Sequence, residues 1–412
     1  MTRPSLASLR DAIITLLIML PAAFAAAQTA DFDPAEHSTF ATTRPDGRYV
    51  SSRAIAHRLM LSQPPRLHYD SATVGSSPAR FAQWQQEMSQ AMTRLMNHPD
   101  VTGQPAPRLT SSEQLDGYTL QRWEAYPLPE AVVPFLVMVP DGVDAAHPAP
   151  AIMCIPGFGQ TKELLATGPK GMAYQYVKEG YVAVVVDNPG CGEEGDLEAI
   201  AGGRADYVTL SRALLELSWS YLGYASYVDM TILQWMKTQP EMRRDRLVVS
   251  GFSLGTEPLM ALGLMDSEIY AFVYNDFLCT TRERALVMTL PDESGARPWP
   301  NDISHLIPGF LTEFDFPDIV AALAPRPVIC TEGGMDRDFQ MVAGAFAAAG
   351  APDNFKAYHY LAFQDEDARR YLDEMPEGID RATFFRLANV DPPHHYFKAE
   401  YVLPWLRTIL TD

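Results

Sequence analysis

A chain of 412 residues with 47% hydrophobic and 20% charged residues has the composition of a globular protein, which excludes wholesale disorder, collagen-like repeats and coiled coil. Lys plus Arg number 32 against 51 Asp plus Glu, a formal charge of −19 at pH 7. Nucleic acid and anionic membranes attract clustered cations, so this balance argues against either as a partner.

In chain order, residues 1–27 read as a secretory signal peptide. Arg3 and Arg10 make a positive start, residues 12–27 are apolar apart from Thr15, and the Ala-rich end offers a small-residue cleavage site. Pro21 and the alanines shorten the strongly apolar part to roughly nine residues, below the ~20 that span a bilayer. An exported, soluble mature chain is the expectation, with periplasmic or secreted location. Residues 28–116 form an N-terminal extension. Within 78–97, Phe81, Trp84, Met88, Met92 and Met96 recur every three or four positions, the stripe of a helix that packs on the main body.

From residue 117 the pattern becomes strands alternating with helices. Segments 118–126 and 132–139 read as a hairpin. Apolar runs at 149–155, 182–187, 246–252, 271–274, 327–331 and 355–360 read as buried strands. Helical stretches lie between them at 171–179, 211–238, 254–265, 317–323 and 337–349, and a last helix covers 397–410. Near-continuous apolar strands separated by helices predict an α/β protein with a mostly parallel central sheet, covered by helices on both faces. A hairpin followed by about six such units is the layout of the α/β-hydrolase fold. Residues 276–316 form the longest irregular stretch, and an insertion of that length in a compact domain is usually a lid or a substrate-binding element.

Four cysteines occur, at 154, 191, 279 and 330, with no CxxC or Cys/His cluster to suggest zinc. Cys154 and Cys330 lie in apolar runs and read as small buried hydrophobes. Neither a metal nor an organic cofactor is expected. Gly190-Cys191-Gly192 lacks the pattern of a phosphate loop and reads as a tight turn after the 182–187 strand.

Gly251-Phe252-Ser253-Leu254-Gly255 is a Gly-x-Ser-x-Gly string. A strand-like run precedes it and a helix-like run follows, the context a nucleophile elbow requires. A serine hydroxyl is a weak nucleophile and needs a base. In this fold the base comes last in the chain. Of the histidines after Ser253, His305 lies in the insertion and His359 in the last strand, leaving His394 and His395 in a loop before the terminal helix. Adjacent residues do not both face the serine. The acid is expected after the 327–331 strand, where the chain reads Glu332-Gly333-Gly334-Met335-Asp336-Arg337-Asp338. Glu332 lies close enough to the strand to belong to it, and Asp338 reads as a helix start. Asp336, following the Gly-Gly turn, is the choice; Asp276, after the preceding strand, is the competitor. The oxyanion that forms during acyl transfer needs backbone donors. Leu254 is one, and Phe158 in Gly157-Phe158-Gly159-Gln160 is the other.

Several blocks carry a wider similarity. They are Tyr221-Leu222-Gly223-Tyr224, residues 248–258 around Ser253, Val273-Tyr274-Asn275-Asp276-Phe277, residues 318–327, residues 331–338, and His395-Tyr396-Phe397-Lys398. On these the chain resembles the acetyl xylan esterase-like α/β-hydrolases, especially the SusD/RagB-associated esterase-like proteins of polysaccharide-degrading bacteria, from about residue 120 to the end. The resemblance implies an exported serine esterase acting on acylated carbohydrate, with Ser253, Asp336 and His395 as its triad. It favours His395 over His394, because the group's motif has one His before Tyr-Phe-Lys. Two other readings stand beside it. A prolyl oligopeptidase-like peptidase shares the fold and triad, but the roughly 90 preceding residues are too few for its propeller. A non-catalytic carbohydrate-binding relative would have no need of Ser, Asp and His together. Arg282, Arg284 and Trp299 in the insertion are candidates for meeting a uronate or a sugar ring.

Overall fold

The computed structural model describes residues 44–48, 50, 52–101, 103–195, 206–288, 303–376 and 379–411. The segment read as a signal peptide and Trp299 lie outside the described residues. Nine strands form one mixed sheet: β1 Arg108–Leu115, β2 Tyr118–Ala125, β3 Val133–Pro140, β4 Ala149–Ile155, β5 Val182–Val185, β6 Met242–Phe252, β7 Ala271–Asn275, β8 Val328–Cys330 and β9 Phe355–Ala357. Their order is β1-β2-β3-β5-β4-β6-β7-β8-β9. The first three strands and the β3–β5 pairing are antiparallel. The pairings from β5 through β4, β6, β7 and β8 to β9 are all parallel.

Alternate residues of the central strands enter two separate cores. Ala151, Met153 and Ile155 of β4 join one apolar cluster, and Ile152 and Cys154 join the other. A strand buried on both faces reads as a continuous apolar run, which is why the period-2 alternation is absent from the sequence. Helices Met172–Lys178 and Ala399–Leu410 cover one face through Met172, Tyr176, Val402, Trp405 and Leu406. Helices Pro78–Met96, Tyr221–Met236, Thr256–Met265, Phe316–Ala322 and Asp336–Ala348 cover the other. The four cysteines are free and buried. Among the described residues, no helix is long and apolar enough to cross a membrane.

The helix Pro78–Met96 begins with the Ser77 side chain accepting from the Arg80 N–H and ends at Asn97 in the left-handed region, the two ends a helix needs to satisfy its unpaired groups. Its Phe81, Trp84, Met88, Met92 and Met96 are all buried in the large cluster with sheet residues. Trp84 also donates its indole N–H to the Leu67 carbonyl at 2.8 Å.

Several elements differ from the sequence reading: β9 stops at Ala357, short of His359, and the stretch read as irregular carries the helices Thr281–Met288 and Phe310–Glu313. The stretch 211–238 is two helices, Tyr207–Glu216 and Tyr221–Met236. Ser218 between them has φ 61, and the Ser220 hydroxyl caps the second helix on the Gly223 N–H. Strand β1 lies inside the stretch read as an extension, before residue 117. Its sequence RLTSSEQL is almost wholly exposed, so no apolar signal marks it.

If the Trp84 stripe is part of the hydrolase core, Trp84→Ala should lower unfolding stability by about 3–5 kcal/mol. Urea denaturation followed by circular dichroism measures this. A loss below about 1 kcal/mol would mean the helix merely rests on the sheet.

Candidate active site

Strands β4 and β6 are parallel neighbours with Cys154 opposite Ser250 and Ile155 opposite Gly251. Their C-terminal ends therefore deliver residues 156–160 and 252–256 to the same edge of the sheet. At Ser253 the backbone takes φ 51, a left-handed conformation for a residue with a side chain, and runs straight into helix Thr256–Met265. The flanking glycines are required by close approach. A Cβ at Gly251 would lie 2.4 Å from the Gly255 carbonyl oxygen, and one at Gly255 would lie 2.3 Å from the Ile155 carbonyl oxygen. Left-handed backbone at a residue other than glycine costs of order 1–3 kcal/mol and persists where its surroundings hold it.

The loop after β4 is organised around its own N–H groups. Gly157 N–H donates to the Gln160 side chain at 3.0 Å, Gly159 N–H to the Tyr207 hydroxyl at 2.9 Å, and Gln160 N–H to the Gly157 carbonyl at 3.1 Å. Three of four donors are thus committed, which leaves the Phe158 N–H for a ligand. The Asn188 amide fixes the loop from beneath by donating to the Pro156 carbonyl at 2.8 Å. Leu254, the other expected donor, is buried directly after Ser253.

His395 lies beside this edge. Its ring stacks on Phe252, centroids 4.6 Å apart and planes 22° from parallel, so the residue preceding Ser253 covers one face of the imidazole. His395 Nδ1 is hydrogen-bonded to Glu332 Oε2. Burial lowers the His395 pKa, but the hydrogen bond and charge of Glu332, with Asp276 behind it, outweigh that and raise it above 6.5. His394 points elsewhere: it is exposed, and its Nδ1 meets Asp391 at 2.7 Å.

Asp336, expected to be the acid, is not on His395. It is the first residue of helix Asp336–Ala348, with one oxygen 3.0 Å from Arg369 Nε and the other 3.2 Å from His359 Nε2. Strand β8 ends at Cys330, one residue before the expected Thr331, so Glu332 is already past the strand at the sheet edge. Gly333 and Gly334, with φ 74 and 144, then turn the chain against Leu278. The Gly333 carbonyl accepts from Leu278 N–H at 2.8 Å, and a Cβ at Gly334 would strike the Leu278 carbonyl oxygen at 2.0 Å. The turn thus carries the chain away from His395 before Asp336 is reached.

Asp276 does approach the site. One atom each from Asp276, Glu332 and His395 lies within 4.8 Å of the others, metal-like spacing among the described residues. Each carboxylate already has a buried cation: Arg284 Nη1 is 3.2 Å from Asp276, and Lys398 Nζ is 2.7 Å from Glu332. With both charges so neutralised, the group is poorly suited to hold a further cation. Arg284 also stacks over Phe277 at 4.7 Å, so it is engaged within the protein. Arg282 donates its backbone N–H to Asp315. From the insertion, His305 Nδ1 lies 2.9 Å from Glu257 Oε1 and its ring runs parallel to that of Phe158, 6.4 Å away.

The Abhydrolase family model matches residues 31–408. Among solved structures, a candidate acetyl xylan esterase from Bacteroides fragilis is similar at 52% identity and TM-score 0.86, covering 92% of this chain and 100% of its own. A glucuronoyl esterase from Solibacter usitatus is similar at 11% identity and TM-score 0.47, covering 73% of this chain and 93% of its own. Acetyl Xylan Esterase 1 from Thermoanaerobacterium sp. has 17% identity and TM-score 0.42, covering 73% and 93%. No curated protein matches the sequence. The family match spans the extension and the sheet alike, and with it the doubly covered sheet has its name: the chain belongs to the Abhydrolase family.

Proposed function

We propose that this protein is an exported serine esterase that removes acyl groups, most simply acetyl, from carbohydrate. The observation that carries the catalytic reading is the Glu332 carboxylate on Nδ1 of His395, in a histidine stacked on the residue next to Ser253. The 52%-identical relative named for acetyl xylan supports the substrate class.

In this reading Glu332 holds the Nδ1–H tautomer, so Nε2 has a lone pair to offer the Ser253 hydroxyl. As Oγ bonds to the ester carbonyl carbon, its proton passes to Nε2. The carbonyl π electrons move to oxygen, and that oxyanion accepts from the Leu254 and Phe158 N–H groups. Collapse breaks the bond to the sugar oxygen, which leaves with the proton from Nε2. Water then attacks the acyl-enzyme by the same route, releasing the carboxylic acid and restoring Ser253. The left-handed backbone at Ser253 fits the sharp strand-to-helix turn that a nucleophile elbow uses to present its hydroxyl.

Ser253→Ala should lower kcat on acetylated xylan and p-nitrophenyl acetate by on the order of 10⁴ or more with the fold intact. An unchanged rate would remove the serine mechanism. The acid assignment separates sharply: Glu332→Gln should cost up to about 10⁴, whereas Asp336→Asn should keep nearly full activity. The reverse result would return the acid to Asp336. For export, the protein recovered from periplasm or medium should begin near residue 26 or 28 by mass spectrometry, and recovery there of chains starting at Met1 would contradict cleavage.

A further inference from the structure

Lys398 closes the His395-Tyr396-Phe397-Lys398 block, yet the reaction as written gives it no task. It is buried, with a residue exposure of 4%. Its Nζ lies 2.7 Å from Glu332 Oε1, donates to the Tyr396 carbonyl at 3.0 Å and also bonds the His394 carbonyl. Those two carbonyls flank His395. The ammonium also sits 3.7 Å from the Tyr396 ring centroid, and the Lys398 backbone N–H donates to Asn275 Oδ1 at 3.0 Å, tying this loop to the end of β7.

The Glu332 carboxylate is fully buried and meets donors on both oxygens. Oε1 takes Lys398 Nζ and the Tyr396 N–H at 3.1 Å. Oε2 takes His395 Nδ1 and the Tyr360 hydroxyl at 3.0 Å. Asp276 stands close by as a second carboxylate, paired with Arg284. Two carboxylates in one buried site raise each other's proton affinity unless each has a cation. Tyr360 and Tyr396 supply hydrogen bonds but no charge, and Arg284 already faces Asp276. Among the described residues, Lys398 is the lysine or arginine in contact with Glu332.

We propose that Lys398 is a positioning residue: its ammonium sets a positive charge against Glu332 beside Asp276 and clamps the loop that aims His395. This rests on the Ser253–His395–Glu332 reading. Without the ammonium, the coupled His395–Glu332 pair retains a proton to higher pH, whichever of the two carries it. A protonated pair has lost either the free Nε2 or the carboxylate acceptor, and it is inactive in both cases. Lys398 also acts directly on the imidazole by disfavouring its cationic form, so its removal moves the titration the same way.

The test is Lys398→Met, which keeps the stem and deletes the charge. In the native enzyme the acid limb of kcat/KM on p-nitrophenyl acetate should lie above pH 6.5, because His395 is held above that value. In Lys398→Met the limb should move up by at least about one pH unit, since buried unpaired carboxylates shift by up to 3–5 units. Activity should therefore fall about tenfold or more at pH 7 and recover most of that loss at pH 9–10. Lys398→Arg, which preserves the charge, should leave the limb near its native position. A loss of equal size at every pH would show that Lys398 only holds the loop together, and full activity at pH 7 would show no role at all; either result overturns the proposal. If Lys398→Met does not fold, Tyr360→Phe deletes one hydrogen bond to the same carboxylate and should raise the limb by a smaller step; an unmoved limb overturns the proposal there. Ser253→Ala measured alongside separates the two readings: an active Ser253→Ala sinks the triad itself, whereas an inactive one with an unmoved Lys398→Met limb sinks only this inference.

Discussion

A buried carboxylate at the end of a β-strand organises the site. Glu332 has no exposed surface, and an isolated charge in that position would cost several kcal/mol. It is tolerated because its donors converge from two stretches of chain. Tyr360 follows β9, while His395, the Tyr396 N–H and Lys398 come from the loop before the last helix. Satisfying that one carboxylate therefore fixes the final loop against the sheet. The hydrogen bonds that make Glu332 tolerable are the same ones that orient His395.

The sheet topology makes the convergence possible. Parallel strands end at the same edge, and the order β4-β6-β7-β8-β9 sets their C-terminal loops side by side. The loop after β4 brings Phe158, that after β6 brings Ser253, β7 leads to Asp276 and β8 to Glu332. The insertion begins beside Asp276 and Arg284, and its described far end returns to the same edge, where His305 meets Glu257 on the helix after Ser253. Ligand sites at the carboxyl edge of such sheets follow from this geometry, since only there do loops from many strands share one space.

Much of this was legible in the sequence, for identifiable reasons. Doubly buried strands are runs of apolar residues, so β4, β6 and β7 stand out even without alternation, and the elbow is marked by glycines that backbone crowding demands. The edge strand β1 is polar along its length and gives no such mark. The break at Ser218 is hidden because the residues around it keep helical character until Ser220 restarts the second helix. Asp336 is the expected acid, whereas it is Glu332 whose carboxylate meets His395. Strand β8 is only three residues long and closes with its apolar run at Cys330, one residue short of the expected Thr331. An expected strand end so close to Glu332 sets that residue against the strand, and the Gly-Gly turn after it reads as leading toward the site. In the fold that turn leads into a helix, and Asp336 becomes a partner of Arg369 and His359. The glycines did signal a sharp turn, but the carboxylate that meets His395 precedes it.

Charge placement joins the composition to the chemistry. With 51 acidic against 32 basic residues, at least 19 carboxylates have no cation of their own even if every Lys and Arg pairs with one. Three buried carboxylates near the site each meet a cation: Asp276 with Arg284, Glu332 with Lys398, and Asp187 with the fully buried Lys162 at 2.6 Å, a lysine that also meets Glu163 and Glu193. The last pair lies behind the loop after β4, where Asp187 also accepts the Lys162 backbone N–H at 2.7 Å and so ties the segment after β4 to the segment after β5. Removing one partner of such a pair leaves an uncompensated buried charge, a larger penalty than the pair itself contributes in stability. These pairs are therefore better understood as constraints on geometry than as sources of stability. They hold the loops after β4, β7 and β8 in fixed relation, so this acidic chain carries a sheet edge at which Asp187, Asp276 and Glu332 all face cations.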